Sequence, residues 1–319
     1  MKFVSVLVGG NSRLGVVIGD GRFVDLAHAQ SLATDATSTT PEIFKDLIAL
    51  IEAGDAGLQA TRQLVAQAEA GQLQGAIGKL SDVKLQAPIP TPRKNVFCVG
   101  RNYIEHVNEG YRARGTEVKL PEYPQFFTKP RTAVIGAGAT IPLHANVTAM
   151  LDYEVELAIV IGRGGVNIPI ETALDHIFGF TIINDVTGRD VQRRHDQWFK
   201  GKGLDGTCPM GPWVVERSDV QDPQALDLSL KVNGEVRQSS NTKHMIFPIA
   251  RIISELSLGL TLEPGDVIAT GTPSGVGYAM TPLARFRVAT SSPARSNRLE
   301  RWKIASATRL TSANRGITA

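Results

Sequence analysis

Cysteine is almost missing from this chain: Cys98 and Cys208 are the only two in 319 residues. That excludes a disulfide framework and fits a reducing cytoplasm, where the protein is expected to reside. Neither thiol belongs to a metal-type cysteine pair or has an evident histidine partner, so thiol catalysis has no support. No apolar run approaches the roughly 18 residues of a membrane span, and no membrane partner is expected. The opening Met1-Lys2-Phe3-Val4-Ser5-Val6-Leu7-Val8 ends in Gly9-Gly10-Asn11 and reads as a first strand rather than a signal peptide. A Gly-x-Ser-x-Gly elbow is lacking, and the glycine-rich segment 270–277 has no Gly-Lys-Ser/Thr ending. A serine hydrolase and a nucleotide loop are thereby disfavoured. Internal repeats are lacking too.

What is there is a globular composition, 42% hydrophobic and 20% charged, with length enough for an ample core. The net charge of +3 is unevenly spread. Between 281 and 319 eight basic residues stand against the single acid Glu300, an excess of seven, which leaves residues 1–280 four charges negative. A mildly acidic body gives no reason to expect a nucleic-acid partner, and the tail carries no recognisable binding module.

Residues 1–86 read as a small N-terminal α+β domain. Strands are predicted over 3–8 and 14–18, and a Gly19-Asp20-Gly21 turn leads to another at 23–26. Helices are predicted from Thr40-Pro41-Glu42 onward and over 60–69. The run Ala87-Pro88-Ile89-Pro90-Thr91-Pro92 marks an extended linker at 87–93. From 94 to 282 many short apolar runs are separated by Gly, Pro and Asn. Only three helices stand out there, at 103–110, 186–197 and 249–257. Strands outnumber helices without alternating regularly, so the fold class is α+β rather than a doubly wound sheet. Residues 283–319 form the atypical basic tail.

The chemistry concentrates in the 94–282 unit. Glu154 and Glu156 stand one residue apart in Leu151-Asp152-Tyr153-Glu154-Val155-Glu156-Leu157. Strand alternation points both carboxylates to one face and Val155 and Leu157 to the other. Such a pair describes either a solvated strand face or a site for a hard divalent cation, Mg²⁺ or Mn²⁺. Asp185 follows a predicted strand at 178–183, where it serves equally as a helix N-cap or as a third metal ligand. Asp185, Arg189 and Gln192 fall at i, i+4, i+7, one face of the predicted helix, with Asp190, Arg193 and Arg194 elsewhere. Arg189 would then grip a substrate carboxylate through its planar fork.

His106 and Glu109 are three residues apart, so one helical turn lets the carboxylate orient the imidazole and raise its basicity. That is a general-base arrangement, and a plain surface pair has the same spacing. Arg101 and Tyr103, just ahead of the pair, are further candidate substrate contacts. Lys202, flanked by Gly201 and Gly203, either stabilises an enolate or carboxylate or is simply a solvated loop lysine. Thr272 is placed to offer its hydroxyl to an anion.

Taken in order, these segments resemble the fumarylacetoacetate hydrolase family in its bacterial two-part members, from about 95 to 281 and more loosely over the first 80 residues. The motifs are Asp152-Tyr153-Glu154-Val155-Glu156-Leu157, Asn184-Asp185-Val186-Thr187-Gly188-Arg189-Asp190-Val191-Gln192 and Gly201-Lys202. They continue with Val232-Asn233-Gly234-Glu235, Gln238-Ser239-Ser240-Asn241-Thr242 and the 270–277 loop. The resemblance implies a mixed β-roll catalytic domain, a homodimer, and Mg²⁺ or Mn²⁺ held by Glu154, Glu156 and Asp185. It also implies that His106 and Glu109 form a dyad on a lid segment. Gly188 stands where alanine is common, and Gly203 where serine is common, which removes one hydroxyl near the site. From Leu283 onward the family's closing strands have no counterpart. A reading-frame shift or an unrelated terminal segment is expected there, and gene sequencing checks whether a one-base shift restores a family-like ending.

The expected activity is metal-dependent hydrolysis of a C–C bond in a 2,4-dioxo acid of the acylpyruvate or fumarylpyruvate kind. The keto acid chelates the metal, Arg189 or Gln192 and Thr272 fix its anion, and His106 deprotonates the attacking water. Lys202 and the metal steady the leaving enolate. Isomerisation of a 2-hydroxymuconate-type dienoate, or decarboxylation of oxaloacetate, would use the same enolate. A catalytically inactive binding or structural protein is the reading from another class, suggested by the tail.

Overall fold

The computed structural model describes residues 1–33 and 42–280, together with Thr311–Ser312 and Arg315–Gly316. Apart from those four residues the basic tail, with the reading-frame expectation attached to it, lies outside the described residues, as do Thr40 and Pro41.

Strands β1 (Lys2–Val8), β2 (Asn11–Ile18) and β3 (Arg22–Asp25) form an antiparallel meander. Its second turn is the expected Gly19-Asp20-Gly21, closed by Arg22 N–H donating to Gly19 O. Helix α1 (Leu26–Ala33) follows; it buries only Leu26 and Ala29, too little apolar periodicity to be read from sequence. Helix α2 (Leu47–Glu52) starts where the Asp46 carboxylate accepts Ala49 N–H at 2.8 Å. Helix α3 (Gly54–Glu69) is longer than the run expected at 60–69. Strands β4 (Ile77–Lys79) and β5 (Lys84–Leu85) return to pair with β3 and β1.

The chain continues through β6 (Val96–Gly100), α4 (Ile104–Arg114), β7 (Gln125–Lys129), β8 (Val134–Gly136), β9 (Leu151–Asp152) and β10 (Val155–Ile161). Next come β11 (Ile177–Asn184), β12 (Thr187–Gly188), α5 (Arg189–Arg194), α6 (Phe199–Lys202), β13 (Cys208–Met210) and β14 (Val214–Glu216). The hairpin β15 (Asp227–Val232) and β16 (Glu235–Asn241), then α7 (Ile249–Ser257) and β17 (Val267–Ala269), complete it. One 13-stranded sheet runs β4-β3-β2-β1-β14-β11-β10-β17-β6-β7, with β5, β8 and β13 attached alongside. Most pairs are antiparallel, but β17 with β6 and β13 with β8 are parallel, so the sheet is mixed. The α+β class holds. The pairing of β1 with β14, Phe3 opposite Val214, carries the N-terminal strands into the same sheet.

Strand β10 lies between β11 and β17, and every one of its residues is buried. Alternation divides it between two cores. Val155, Leu157, Ile159 and Ile161 enter one, and Ala158 and Val160 the other. Each large aliphatic side chain there contributes about 1.5–3 kcal/mol on burial. Glu156 shares the parity of Ala158 and Val160, so its carboxylate lies beneath a covered sheet face rather than in water. That overturns the solvated-face alternative.

One expectation is corrected. The helix expected over 186–197 shrinks to α5, and its N-cap is Gly188, not Asp185. The reason is local hydrogen bonding. Asp185 N–H donates to Glu154 O, Val186 N–H to Asn184 O and Thr207 O, and Thr187 pairs with Asp152 across β12 and β9. Thr187 is held extended by its pairing with Asp152, so the helix cannot begin before Gly188. Asp185 therefore follows directly on β11 and shares no helix face with Arg189 and Gln192.

Candidate active site

The three carboxylates meet where β10 begins and β11 ends. Val155 pairs with Asn184, and the Asn184 side-chain oxygen accepts Glu154 N–H at 3.0 Å, so the strand ends are held in register. Glu154, Glu156 and Asp185 each offer an oxygen, and these lie within 4.8 Å of one another. All three side chains are buried, at 4%, 1% and 0% exposure. Three acids so close repel strongly unless cations intervene.

Three protein cations do. Lys202 Nζ lies 2.7 Å from Glu154 Oε2 and 2.5 Å from Asp185 Oδ2. Lys129 Nζ, on the last residue of β7, lies 2.8 Å from Asp185 Oδ1 and also donates to Val186 O and Lys202 O. Arg189 Nη2 reaches Glu154 Oε1 at 2.6 Å and Asp152 Oδ2 at 2.9 Å. Burial opposes ionisation of Glu154, but Lys202 and Arg189 override it and hold its carboxyl well below the usual range. Glu156 goes the other way, raised well above the usual range by burial and then by Asp185 and Glu154. Its carboxylate accepts one hydrogen bond, from Gly271 N–H at 2.7 Å, and has no ion pair among the described residues.

This arrangement fits a divalent ion. Asp185 Oδ1 is buried and meets only the Lys129 ammonium, and Glu156 has no ion pair among the described residues and a surplus of neighbouring negative charge. A hard cation would relieve both, and the donor set is all oxygen.

The glycine-rich loop after β17 wraps the same strand. Thr270 N–H and hydroxyl both donate to Leu157 O, and Thr272 Oγ1 donates to Val155 O at 3.0 Å. Gly271 has φ +101°, and a Cβ there would stand 2.7 Å from the Asn102 side chain; glycine alone lets its N–H reach Glu156. Farther along, Gly275 N–H donates to Glu109 Oε2 at 3.0 Å, while Glu109 Oε1 lies 2.9 Å from His106 Nδ1. The loop therefore ties strand β10 to helix α4. His106 and Glu109 are only 12% and 13% exposed, unlike an ordinary surface pair.

His106, Glu154, Glu156, Arg189, Gln192, Lys202 and Thr272 line one pocket of about 260 Å³. Sequence comparison gives this geometry a lineage. Residues 95–298 match the family described as "Fumarylacetoacetate (FAA) hydrolase C-terminal". The chain belongs to that family. It is 46% identical over 284 residues to the oxaloacetate tautomerase YisK of Bacillus subtilis, covering 88% of this chain and 92% of that one. A fumarylacetoacetate hydrolase from Exiguobacterium antarcticum is 38% identical, with a TM-score of 0.69 over 90% of this chain and 92% of the other. A maleylpyruvate hydrolase from Sphingobium, solved with manganese(II) and pyruvate, is 30% identical with a TM-score of 0.62 over 87% and 90%. Fumarylacetoacetate hydrolase family relatives are enzymes, and this chain is one too.

Within the family frame, the remaining expected residues fall in different places. Arg101 lines the pocket mouth. Tyr103 does not: it is 1% exposed and packs in the core beside α4, and burial, then Glu156, raises its hydroxyl pKa. Its hydroxyl has no hydrogen-bond partner among the described residues. Arg189 is mostly committed to Asp152 and Glu154, so its main structural work is holding a carboxylate of the chain. The Thr272 hydroxyl likewise serves Val155 O and accepts Gln238 Nε2 at 2.8 Å.

Sequence reasoning missed five contributors. Lys129 is fully buried at the end of β7, just before Pro130, and no local pattern marks it. Asp152, two residues before Glu154, accepts N–H groups from Tyr153, Gly277 and Tyr278 and anchors Arg189. Arg193, expected elsewhere, lines the mouth together with Trp198 and Tyr278. Nothing local marks these last three, because they meet only through the fold.

Proposed function

We propose that this pocket catalyses proton transfer on the enol or enolate of a small 2-oxo acid, with keto–enol tautomerisation as the first reaction to assign. One observation carries the reading: His106, held through Nδ1 by Glu109, lines the same pocket as Glu154 and Glu156, and Asp185 lies buried beside those two. The 46% identity to an oxaloacetate tautomerase supports tautomerisation over its rivals.

Glu154, Glu156 and Asp185 would hold Mg²⁺ or Mn²⁺, and the ion would act as a Lewis acid on the carboxylate and 2-oxo oxygens. In the ketonising direction the enol gives up its 2-hydroxyl proton to solvent, and His106 Nε2, the ring nitrogen that Glu109 leaves open, delivers one to C3. Enolisation runs the same two transfers in reverse. Glu109 steadies the imidazolium as it forms. Lys202 supplies positive charge beside the 2-oxygen, where enolate charge develops. Thr272 and Gln192 close the pocket wall and help keep water out.

Hydrolysis of a C–C bond in a 2,4-dioxo acid is the second reading, favoured by the His106–Glu109 pair itself, since the same base can activate water. Two assays separate them on the Mn²⁺-loaded protein. Loss of enol absorbance from freshly dissolved oxaloacetate reports tautomerisation, and loss of acylpyruvate absorbance reports cleavage. Tautomerisation unaccelerated over buffer, with acylpyruvate cleaved, would replace the first reading by the second. We also propose a homodimer in the cytoplasm, as the family resemblance implies; sedimentation of the purified protein checks the first part.

A further inference from the structure

The pocket is graded in both depth and charge. Its floor residues Glu154, Glu156, Arg189 and Lys202 are buried, whereas Arg101, Trp198 and Tyr278 are half-buried, and Arg193 and Asp196 are exposed at the mouth. The floor cations are neutralised by floor acids. The two mouth cations are not: neither Arg101 nor Arg193 has an ion pair among the described residues.

Both guanidiniums are nevertheless held in place. Arg101 lies over the Trp198 ring at 5.5 Å and near Tyr111 at 5.9 Å; Arg193 lies over the Tyr278 ring at 5.4 Å. An arginine held over a ring face spends none of its N–H groups on that contact, so they stay available to a carboxylate. The backbone supports the same placement. Arg101 adopts φ +56°, a left-handed conformation unusual for a residue with a long side chain. Its neighbour Asn102 locks it there, donating to Phe247 O and Thr270 O and accepting Phe247 N–H. On the other side, a Cβ on Gly100 would stand 2.1 Å from the Trp198 ring, so the bare glycine lets the indole close in beside Arg101. Strain retained at a pocket-lining residue points to a use for its side chain.

We infer that Arg101 and Arg193 form a second anion subsite, which recognises a carboxylate at the far end of a dicarboxylic 2-oxo acid. Asp196 subtracts one charge from the mouth, leaving a net of one positive charge for one substrate carboxylate. This inference rests on the proposed reading of the floor as a 2-oxo-acid site.

The test uses pyruvate and oxaloacetate, which share the 2-oxo-carboxylate end and differ by the far carboxylate. Calorimetric titration of the Mn²⁺-loaded protein gives a dissociation constant for each. The expected preference for oxaloacetate is roughly tenfold or more, the scale of a charge-assisted hydrogen bond. Arg101→Gln and Arg193→Gln should each pull that ratio toward one, weakening oxaloacetate more than pyruvate. Equal binding of both acids by the unsubstituted protein, or a preference that survives both substitutions, overturns the subsite while leaving the floor reading intact. Failure of pyruvate itself to bind brings down the floor reading, and the subsite with it.

Discussion

His106 Nδ1 lies 2.9 Å from Glu109 Oε1, and the other Glu109 oxygen is held by Gly275 N–H, so the imidazole is oriented from helix and loop together. His106→Ala should reduce kcat by about 10²–10⁴-fold, the usual worth of a positioned acid–base group, with metal still bound. Glu109→Gln keeps the shape and loses the charge, and about a tenfold fall is expected because the imidazolium is then less stabilised. Steady-state kinetics with parallel metal analysis checks both. Undiminished turnover in His106→Ala would remove the dyad from the mechanism.

Asp152 belongs to the architecture rather than the chemistry. It pairs with Arg189 and accepts N–H groups from Gly277 and Tyr278. Asp152→Asn would leave Arg189 buried with half its counter-charge gone. A loss of about 3 kcal/mol in unfolding free energy is expected, measured by urea denaturation.

Gly100→Ala should disturb the mouth without touching the floor. The added methyl would stand 2.1 Å from the Trp198 ring, which must shift and so disturb the Arg101 guanidinium that lies over it. Overpacking of this kind costs about 1–3 kcal/mol. A changed tryptophan emission and a raised KM are expected, with a smaller change in kcat.

Both cysteines are fully buried. Burial pushes the Cys208 thiol up to about 12 and Cys98 well above its ordinary value. Thiolate is therefore scarce at pH 8, and the reagent has no path to the sulfur. A thiol-titrating disulfide should find neither group in the native protein and both after denaturation.

Much of this was legible in the sequence, and the boundary is instructive. Helix α7 coincides with the 249–257 prediction because Ile249, Ile252, Ile253 and Leu256 repeat at helical spacing and all are buried. The parity of Glu154 and Glu156 was readable too, since alternation along a strand is a local rule. Their burial was not, because it depends on β11 and β17 flanking β10 from distant parts of the chain. Asp185 does lie beside the glutamates at a strand end, but it shares no helix face with Arg189 and Gln192. Spacing suggested a helix, while tertiary hydrogen bonds to Glu154 and across to β9 kept the chain extended. Lys129 shows the remaining limit: a buried ammonium is explained only by the carboxylate and carbonyls that surround it.

Titration of the metal-free protein with Mn²⁺, followed by calorimetry, tests the central claim most directly. One ion per chain should bind, and Glu156→Gln should weaken it by more than about 100-fold, since a ligand matters at least as much as the groups that orient it. Unchanged binding in that variant, or no binding by the unsubstituted protein, would contradict a metal centre built from Glu154, Glu156 and Asp185.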